Sequence, residues 1–352
     1  MSETLTLQPT TPDNKGNLLS RENPSSNYGS NVVLQAGTDN TVLGDTVTRF
    51  LIAFDLSSIP MYSEIESATI TLKMTGAGAR PDPTTFYVNR VTQAWTHAGS
   101  TWSTYNGTNA WTTAGGDYTA TGQVSVSVGA PVSGGTLTID VADLVEDAVQ
   151  NRSGQLNLIV RGPEDVGYDA FVVVHSGHAT TPSNRPKIEV VYTEFPVVER
   201  IARCLKSRLE TVTTGAGYTL TFNVVRPLRE GVKDFSHGLC VLEQAAEAAR
   251  DDANGFPGNP PAVCWDQDFT VTLYISPDDT TTPVDTIANL AAADAELAIT
   301  DDTAEDWAQM DGLAVLTEQT GRDIFADGDS RQIRLTYRVK YRTSENDPYT
   351  VR

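Results

Sequence analysis

The chain has 352 residues, with 45 acidic and 25 basic side chains and a formal charge of −20 at pH 7. This length predicts roughly two domains, each large enough to bury its own hydrophobic core. The hydrophobic content of 39% argues against a wholly disordered chain, and the acidity argues against long-range attraction to nucleic acid or anionic membranes.

Targeting and cysteine patterns add further expectations. The sequence has no run of about 18 apolar residues, which predicts no membrane span. Residues 1–6 have neither the basic nor the apolar region of a signal peptide, which predicts no secretory signal. The three cysteines, Cys204, Cys240 and Cys264, form no Cys-x-x-Cys pair, so the sequence predicts neither a disulfide framework nor a structural zinc site.

Residues 1–194 are rich in Thr, Ser, Gly and Asn and contain short segments in which apolar and polar residues alternate. Residues 50–56 predict a buried strand, and Ala68, Ile70, Leu72 and Met74 predict the buried face of the next one. Later segments repeat the alternation, and a short helix is predicted over residues 141–149. Many short strands separated by turns are typical of a β-sandwich or jelly roll.

Residues 195–352 combine strands with two helices. Pro196 begins the first helix, and Thr282-Pro283-Val284-Asp285 form a capping box that begins the second. Alternating apolar residues predict strands over residues 218–224, 269–275 and 332–342, and small residues with Pro and Gly predict a long loop over residues 245–262. The pattern is typical of an α+β domain in which two helices cover an antiparallel sheet.

The N-terminal part resembles the DNRLRE family of secreted and surface β-sandwich modules. The resemblance covers most of residues 10–193 and is carried by residues 23–30, 50–60, 65–72, 91–96, 101–102, 139–141 and 185–192. The segment at residues 174–178 departs from the family pattern, since it lacks the usual Ser-Arg-Glu run. The family is similar in shape to carbohydrate-binding modules, and its members are usually appendages of a larger protein.

The C-terminal part resembles the tail terminator, or tail completion, proteins of long-tailed phages. The resemblance is carried by residues 209–218, 224–227, 265–275, the capped helix after Pro283, and residues 336–339. It implies a homohexameric ring that caps the tail tube, contacts the tail tube protein and the head-completion or connector protein, and lets DNA pass through its lumen. Family members usually consist of this domain alone, so the N-terminal sandwich is expected to be an outward decoration at the neck.

The last strand carries the clearest charge pattern. Arg334, Arg338, Lys340 and Arg342 occupy even positions, opposite the apolar odd positions. One hypothesis is an oligomer contact with an acidic surface of a neighbouring subunit, such as residues 301–302 or 305–306. The face could also line a channel that passes DNA, or be a solvated strand face whose charges protect an edge.

Aromatic residues cluster within residues 95–111. Trp95, Trp102, Tyr105 and Trp111 could form a platform that stacks on sugar rings, or they could belong to a sandwich core. Trp95 and Trp102 lie in segments with the character of core motifs. Tyr105 and Trp111, next to the Asn- and Gly-containing segment 106–109, are the residues we expect to be exposed and to contact a glycan.

Three groups of carboxylates and histidines lie close enough in sequence to be considered as metal sites. Glu164, Asp165 and Asp169 lie in a Gly-containing loop and could hold a structural calcium ion; no other cofactor is expected. His175 and His178 are three residues apart near Asp169, a spacing that does not place both on one face of a strand. Asp323, Asp327 and Asp329 lack EF-hand spacing, and Asp327-Gly328 predicts a hairpin turn.

No nucleophile, phosphate-loop or metalloprotease motif occurs, so the sequence predicts a protein that is not an enzyme, although spatially paired carboxylates for glycoside hydrolysis stay open. The resulting hypothesis is a structural virion protein made in the host cytoplasm, with a ring-forming domain at residues 195–352 and a β-sandwich decoration at residues 1–194. The alternative is a glycan-binding adhesin whose C-terminal domain anchors it to the virion.

Overall fold

The computed structural model describes residues 2–12, 15–41, 44–77, 83–128, 134–226, 236–244, 248–256, 261–277, 282–300 and 313–351. The chain forms two compact units, Met1–Glu194 and Phe195–Arg352. The division falls where the composition of the sequence changes. The architecture is mainly β, with a β-sandwich in the first unit and an α+β fold in the second, which confirms the predicted fold class.

Strands dominate the first unit. In chain order its elements are β1 (Ser2–Leu7), β2 (Gly16–Ser20), β3 (Val33–Thr41), β4 (Gly44–Asp55), β5 (Glu64–Ala77), β6 (Thr84–Arg90), β7 (Val124–Val128), β8 (Thr136–Asp140), α1 (Ala142–Asn151), β9 (Gln155–Arg161), β10 (Ala170–His175) and β11 (Lys187–Thr193).

The long strand β5 joins the two layers of the sandwich. Its first part pairs with β11 and β8, and its last residues pair with β10 after a shift in register at Val174. From β10 the sheet continues through β3, β4, β9 and β6 to β7. Even-numbered residues of β4, including Phe50 and Ile52, face the core between the layers because side chains alternate along a strand. The predicted helix is confirmed as α1, which buries Leu144, Val145, Ala148 and Val149.

The second unit places two helices on a single sheet. Its elements are α2 (Val197–Glu210), β12 (Asn223–Val225), β13 (Leu239–Gln244), β14 (Ala249–Phe256), β15 (Ala262–Ile275), α3 (Val284–Thr300), β16 (Ala314–Asp327), β17 (Ser330–Ser344) and β18 (Asp347–Val351). The sheet order is β12-β13-β15-β17-β16, with β14 paired to β15 and β18 paired to β17.

Apolar periodicity explains how these elements pack. Both predicted helix starts are confirmed, and α2 buries Val197, Ile201, Leu205 and Leu209, which recur at helical spacing. The odd-numbered residues of β17 from 333 to 341 are buried on the face that the helices cover, as the alternation predicts. The predicted turn at Asp327-Gly328 is the hairpin between β16 and β17.

Two sequence predictions in this unit are wrong. Residues 218–222 are not a strand, because other groups satisfy their backbone: Thr219 N donates to Asp294 Oδ2, and Phe222 N donates to Val212 O. Only β12 remains, and it pairs in parallel with β13. The range 245–262 was predicted to be a loop, but it contains β14. This strand forms because the backbone groups along the edge of β15 pair with it, and composition does not reveal that edge. Within the described ranges, no helix is long and apolar enough to cross a membrane.

Candidate functional site

A long connection, residues 92–122, covers the outer face of the layer formed by β10, β3, β4, β9, β6 and β7. We call this connection the aromatic loop. Leu51 and Ile159 face each other across β4 and β9 on this outer side. They are fully buried with Leu19 and Val47, because Trp102 and Trp111 of the aromatic loop pack over them. The loop therefore closes a second, smaller hydrophobic core outside the main one.

The tryptophans do not form an exposed platform. Trp102 is 7% exposed, which confirms its assignment to the core, and Trp95 is half-buried against the same cluster. Trp111 is only 5% exposed and donates its indole N–H to Thr101 O over 2.9 Å. The expectation that Trp111 is exposed is wrong, because its ring is needed to cover apolar residues of the sheet. Tyr105 is half-buried against Trp111, with ring centroids 5.7 Å apart.

A polar and aromatic cluster adjoins this loop on the same outer face and includes one loop residue, Tyr118; we call it the Arg161 cluster. It consists of Tyr87, Asn89, Tyr118, Gln123 and Arg161. The guanidinium carbon of Arg161 lies 5.0 Å from the ring centroid of Tyr87 and 4.6 Å from that of Tyr118. Arg161 Nε donates to Asn89 Oδ1 over 3.1 Å, and its Nη2 donates to Gln123 Oε1 over 2.9 Å. The cation therefore lies within cation–π distance of two aromatic rings and is held there by two side-chain amide oxygens.

Strand register creates the Arg161 cluster. Tyr87 of β6 is directly opposite Arg161 of β9, and Asn89 shares their outward face. Asn89 is fully buried, and its Nδ2 donates to Thr119 O in the aromatic loop over 2.8 Å. Sequence reasoning missed this cluster. The available signal was the alternation of Tyr87 and Asn89 with the buried Phe86 and Val88, but nothing in the sequence shows that β6 and β9 are neighbours.

A second arginine extends the same surface. Arg49 Nε and Nη2 donate to the two carboxylate oxygens of Glu164 over 2.7 and 3.0 Å, and its Nη1 donates to Gly115 O over 3.0 Å. Its guanidinium lies 5.0 Å from the ring centroid of Trp102. The ion pair is largely buried, since the side chain of Arg49 is 11% exposed. Arg49 thus links the aromatic loop to the sheet through a backbone carbonyl and a ring face, and its ion pair adds the segment that follows β9.

The three calcium candidates have separate partners. Glu164 binds Arg49, Asp165 accepts two hydrogen bonds from Arg21, and Asp169 Oδ1 accepts one from Asn40 N. The hydrogen bond from Arg21 holds the pKa of Asp165 below its usual value. In the part of the chain that the structure describes, no group of three or more His, Cys, Asp or Glu side chains is placed to hold a metal ion. Calcium binding stays a prediction from the sequence.

The histidines near this loop form a different pair from the one in the sequence pattern. His178 stacks against His97 of the aromatic loop, with ring centroids 5.6 Å apart and planes inclined by 18°. His97 also lies against Gly29, where an added Cβ would be 2.5 Å from its Nε2. His175 is half-buried on β10. His178 therefore packs with a histidine distant in sequence rather than with His175.

Two of the basic residues of β17 bind acidic residues of their own chain. Arg338 donates to both oxygens of Asp268 over 2.8 and 3.1 Å, and Lys340 donates to Asp251 over 2.6 Å. These hydrogen bonds raise the pKa of both cations, so they stay charged. Arg334 lies over the ring of Phe325, and Arg342 follows on the same strand face. Residues 301–302 and 305–306 lie outside the described residues, and the oligomer contact stays a prediction.

The second unit also contains a cavity of about 430 Å³. Trp265 of β15 and Tyr341 of β17 form a cross-strand pair in its wall, with Arg250, Glu345 and Asp347 among the polar lining residues. Trp265 Nε1 donates to Thr343 Oγ1 over 3.0 Å, which fixes the indole. Burial raises the pKa of Tyr341 to about 12, so its phenol is neutral at physiological pH.

Comparison with known proteins bears on the first unit. The whole sequence gives no significant match to any curated protein. Residues 17–191 match the model of carbohydrate-binding module family 96, and this range contains every strand from β3 to β10, the aromatic loop and the Arg161 cluster. The match supports the β-sandwich expected from the sequence. The N-terminal unit is thus similar to the carbohydrate-binding modules of family 96.

Proposed function

We propose that the N-terminal unit binds a carbohydrate at the Arg161 cluster, on the outer face of the sheet beside the aromatic loop. The observation that carries this proposal is the match of residues 17–191 to a carbohydrate-binding module family. The cluster supports it chemically, because the guanidinium of Arg161 and the exposed amide of Gln123 can pair with neighbouring sugar hydroxyls. Tyrosine rings can pack against the C–H faces of a pyranose.

The geometry of the cluster suits a ligand site because its polar groups are fixed before any ligand arrives. Asn89 is anchored by Thr119, and Asn89 and Gln123 together orient Arg161. Two half-buried rings, those of Tyr87 and Tyr118, lie within 5.0 Å of the guanidinium carbon and restrain it. Preorganised groups lose little conformational entropy on binding, which favours affinity for a hydroxyl-rich ligand.

The test is a carbohydrate array followed by calorimetric titration of the full chain. We expect Arg161→Ala to weaken binding by about a hundredfold, since the variant loses charge-assisted hydrogen bonds and the support of both tyrosines. Arg152→Ala is the matched control, because Arg152 is an arginine of the same unit that hydrogen-bonds to Asp147 on α1. Equal affinity of Arg161→Ala and the unmodified chain would place any carbohydrate site elsewhere. No binding to any sugar would remove the proposal.

A second candidate function concerns the C-terminal unit, and it is the tail-terminator ring that the sequence resemblance implies. The observation that favours it is the α+β fold, in which β16 runs for 14 residues along one end of the sheet. An edge strand of this length can extend a sheet into a neighbouring subunit, and repeated head-to-tail contacts close a ring. In this proposal the chain caps a tail tube and the N-terminal unit decorates the neck.

Negative-stain electron microscopy of the full chain mixed with assembled tail tubes tests this second candidate. We expect closed rings at one end of each tube, with small lobes directed outward. The tube supplies the template, so the mixture is the decisive sample. Tubes with bare ends at saturating protein would contradict the tail-terminator proposal and leave the carbohydrate-binding proposal unaffected.

A further inference from the structure

The cavity of about 430 Å³ in the second unit lies at one end of the sheet, where the start of α2 meets β14, β15 and the turn between β17 and β18. Its volume is within the range of roughly 300–1,000 Å³ that is usual for small-molecule sites. The carbohydrate site proposed above belongs to the other unit, and the tail-terminator proposal does not use this cavity. It is therefore a separate candidate site.

The wall that the sheet contributes to this cavity is aromatic. Trp265 and Tyr341 are directly opposite each other on β15 and β17, on the sheet face that the helices cover. Trp265 is half-buried, and its indole N–H is already bound to Thr343 Oγ1 over 3.0 Å. The indole therefore offers a ligand only its ring carbons, which suits the C–H face of a ring-shaped molecule.

Tyr341 adds one polar group to this wall. The side chain is 6% exposed, and its hydroxyl has no hydrogen-bond partner among the described residues. Burial raises the pKa of Tyr341 to about 12, so the hydroxyl stays neutral and can both donate and accept a hydrogen bond at physiological pH. A buried hydroxyl without a partner is unfavourable, and a ligand hydroxyl that pairs with it would remove this cost.

The rim of the cavity is polar and carries both signs of charge. Arg250 of β14 and Glu345 are exposed at the rim, and Asp347 at the start of β18 is half-buried there. Glu345 N donates to Pro261 O over 2.8 Å, which fixes the turn before β18. Asp347 Oδ1 accepts from Tyr349 N over 3.0 Å, which orients this carboxylate. One guanidinium and two carboxylates thus supply donors and acceptors at a single opening.

These features favour a neutral ligand that has both an apolar face and hydroxyl groups. An anion would be repelled by Glu345 and Asp347, and a cation would be repelled by Arg250. A purely apolar ligand would cover the polar rim and leave the Tyr341 hydroxyl unpaired. A sugar ring meets all of these conditions, because its C–H face packs on an aromatic ring while its hydroxyls pair with polar side chains.

We propose that this cavity binds a hexose-sized saccharide unit, with its ring packed on Trp265 and one of its hydroxyls paired with the hydroxyl of Tyr341. Arg250 and Glu345 then pair with the outer hydroxyls of the same ring. The site belongs to the second unit and does not depend on carbohydrate binding at the Arg161 cluster. We expect a dissociation constant in the millimolar range for a single ring, since a small ligand makes few contacts.

The first test is saturation-transfer difference NMR of the full chain with the methyl glycosides of glucose, galactose and mannose. All samples carry Arg161→Ala, so that the site proposed in the first unit does not contribute. We expect at least one glycoside to bind, and Trp265→Ala to weaken this binding by about tenfold or more because the aromatic wall is lost. Absence of binding by all three glycosides, or unchanged binding in Trp265→Ala, overturns the proposal.

The second test uses Tyr341→Phe, which keeps the ring and loses only the hydroxyl. We expect glycoside affinity to fall by about fivefold to tenfold while the thermal unfolding midpoint stays the same or rises, since no hydrogen bond within the chain is lost. Tyr274→Phe is the matched control, because Tyr274 is a half-buried tyrosine of β15 on the opposite sheet face. It should leave the affinity unchanged.

Two results of this comparison contradict the proposed site. Unchanged affinity in Tyr341→Phe, or an equal loss in Tyr341→Phe and Tyr274→Phe, would show that the Tyr341 hydroxyl does not contact the sugar. Choline and inorganic phosphate are titrated in parallel as a cation and an anion. Tighter binding of either ion than of every glycoside, if it is weakened by Trp265→Ala, would assign the cavity to a charged ligand and overturn the proposal.

Discussion

Trp111→Ala is expected to lower the free energy of unfolding of the N-terminal unit by about 3–5 kcal/mol, the usual effect of removing a buried large aromatic side chain. Trp111 is 5% exposed and packs with Trp102 over the outer face of the sheet. Its loss also leaves Thr101 O without the indole N–H. The measurement is chemical denaturation followed by circular dichroism, with the two units resolved as separate transitions.

Trp111→Phe is the matched control for this change. Phenylalanine keeps most of the apolar area but loses the hydrogen bond, so we expect a smaller decrease of about 1–2 kcal/mol. If Trp111 instead contacted a sugar as a solvent-exposed platform, Trp111→Ala would weaken carbohydrate binding at unchanged stability. That result would contradict the assignment of Trp111 to the small core under the aromatic loop.

Gly37→Ala is expected to destabilise the same unit by about 4 kcal/mol or more, which is exceptional for a single added methyl group. Gly37 lies within β3 at φ +112°, a conformation that side chains of L-residues rarely adopt. A Cβ at this position would be 2.0 Å from Ala170 O and 2.9 Å from Phe171 Cα. Both atoms belong to the backbone of β10, so relief requires that β3 and β10 separate.

Gly167→Ala separates the cost of the positive φ from the cost of the contact between the added Cβ and the backbone of β10. Gly167 also has a positive φ, of +67°, but an added Cβ would have no neighbour within 4 Å. We therefore expect a decrease of only about 1 kcal/mol, from the backbone conformation alone. Thermal unfolding of both variants provides the comparison. Similar unfolding midpoints for Gly37→Ala and Gly167→Ala would contradict this explanation. They would show that the close approach of β3 and β10 does not prevent a side chain at position 37.

Local patterns in the sequence determined much of the fold. Alternation over β5, β15 and β17 predicted strands with the correct buried faces, because burial of one face imposes a period of two residues. Helical spacing after Pro196 and the capping box at residues 282–285 predicted the starts of α2 and α3. These signals are local, since a helix or a half-buried strand repeats its environment within a few residues.

The tertiary structure alone decided which side chains meet. Tyr87 and Arg161 are 74 positions apart in sequence, and only the pairing of β6 with β9 places them opposite each other. Trp111 is buried because the aromatic loop folds back over Leu51 and Ile159, a contact that no sequence period encodes. Likewise, the basic residues of β17 meet Asp268 and Asp251 through the register of neighbouring strands. Composition and spacing thus determined many of the elements, though not β14, whereas long-range strand pairing determined the sites, because pairing depends on the packing of the whole unit.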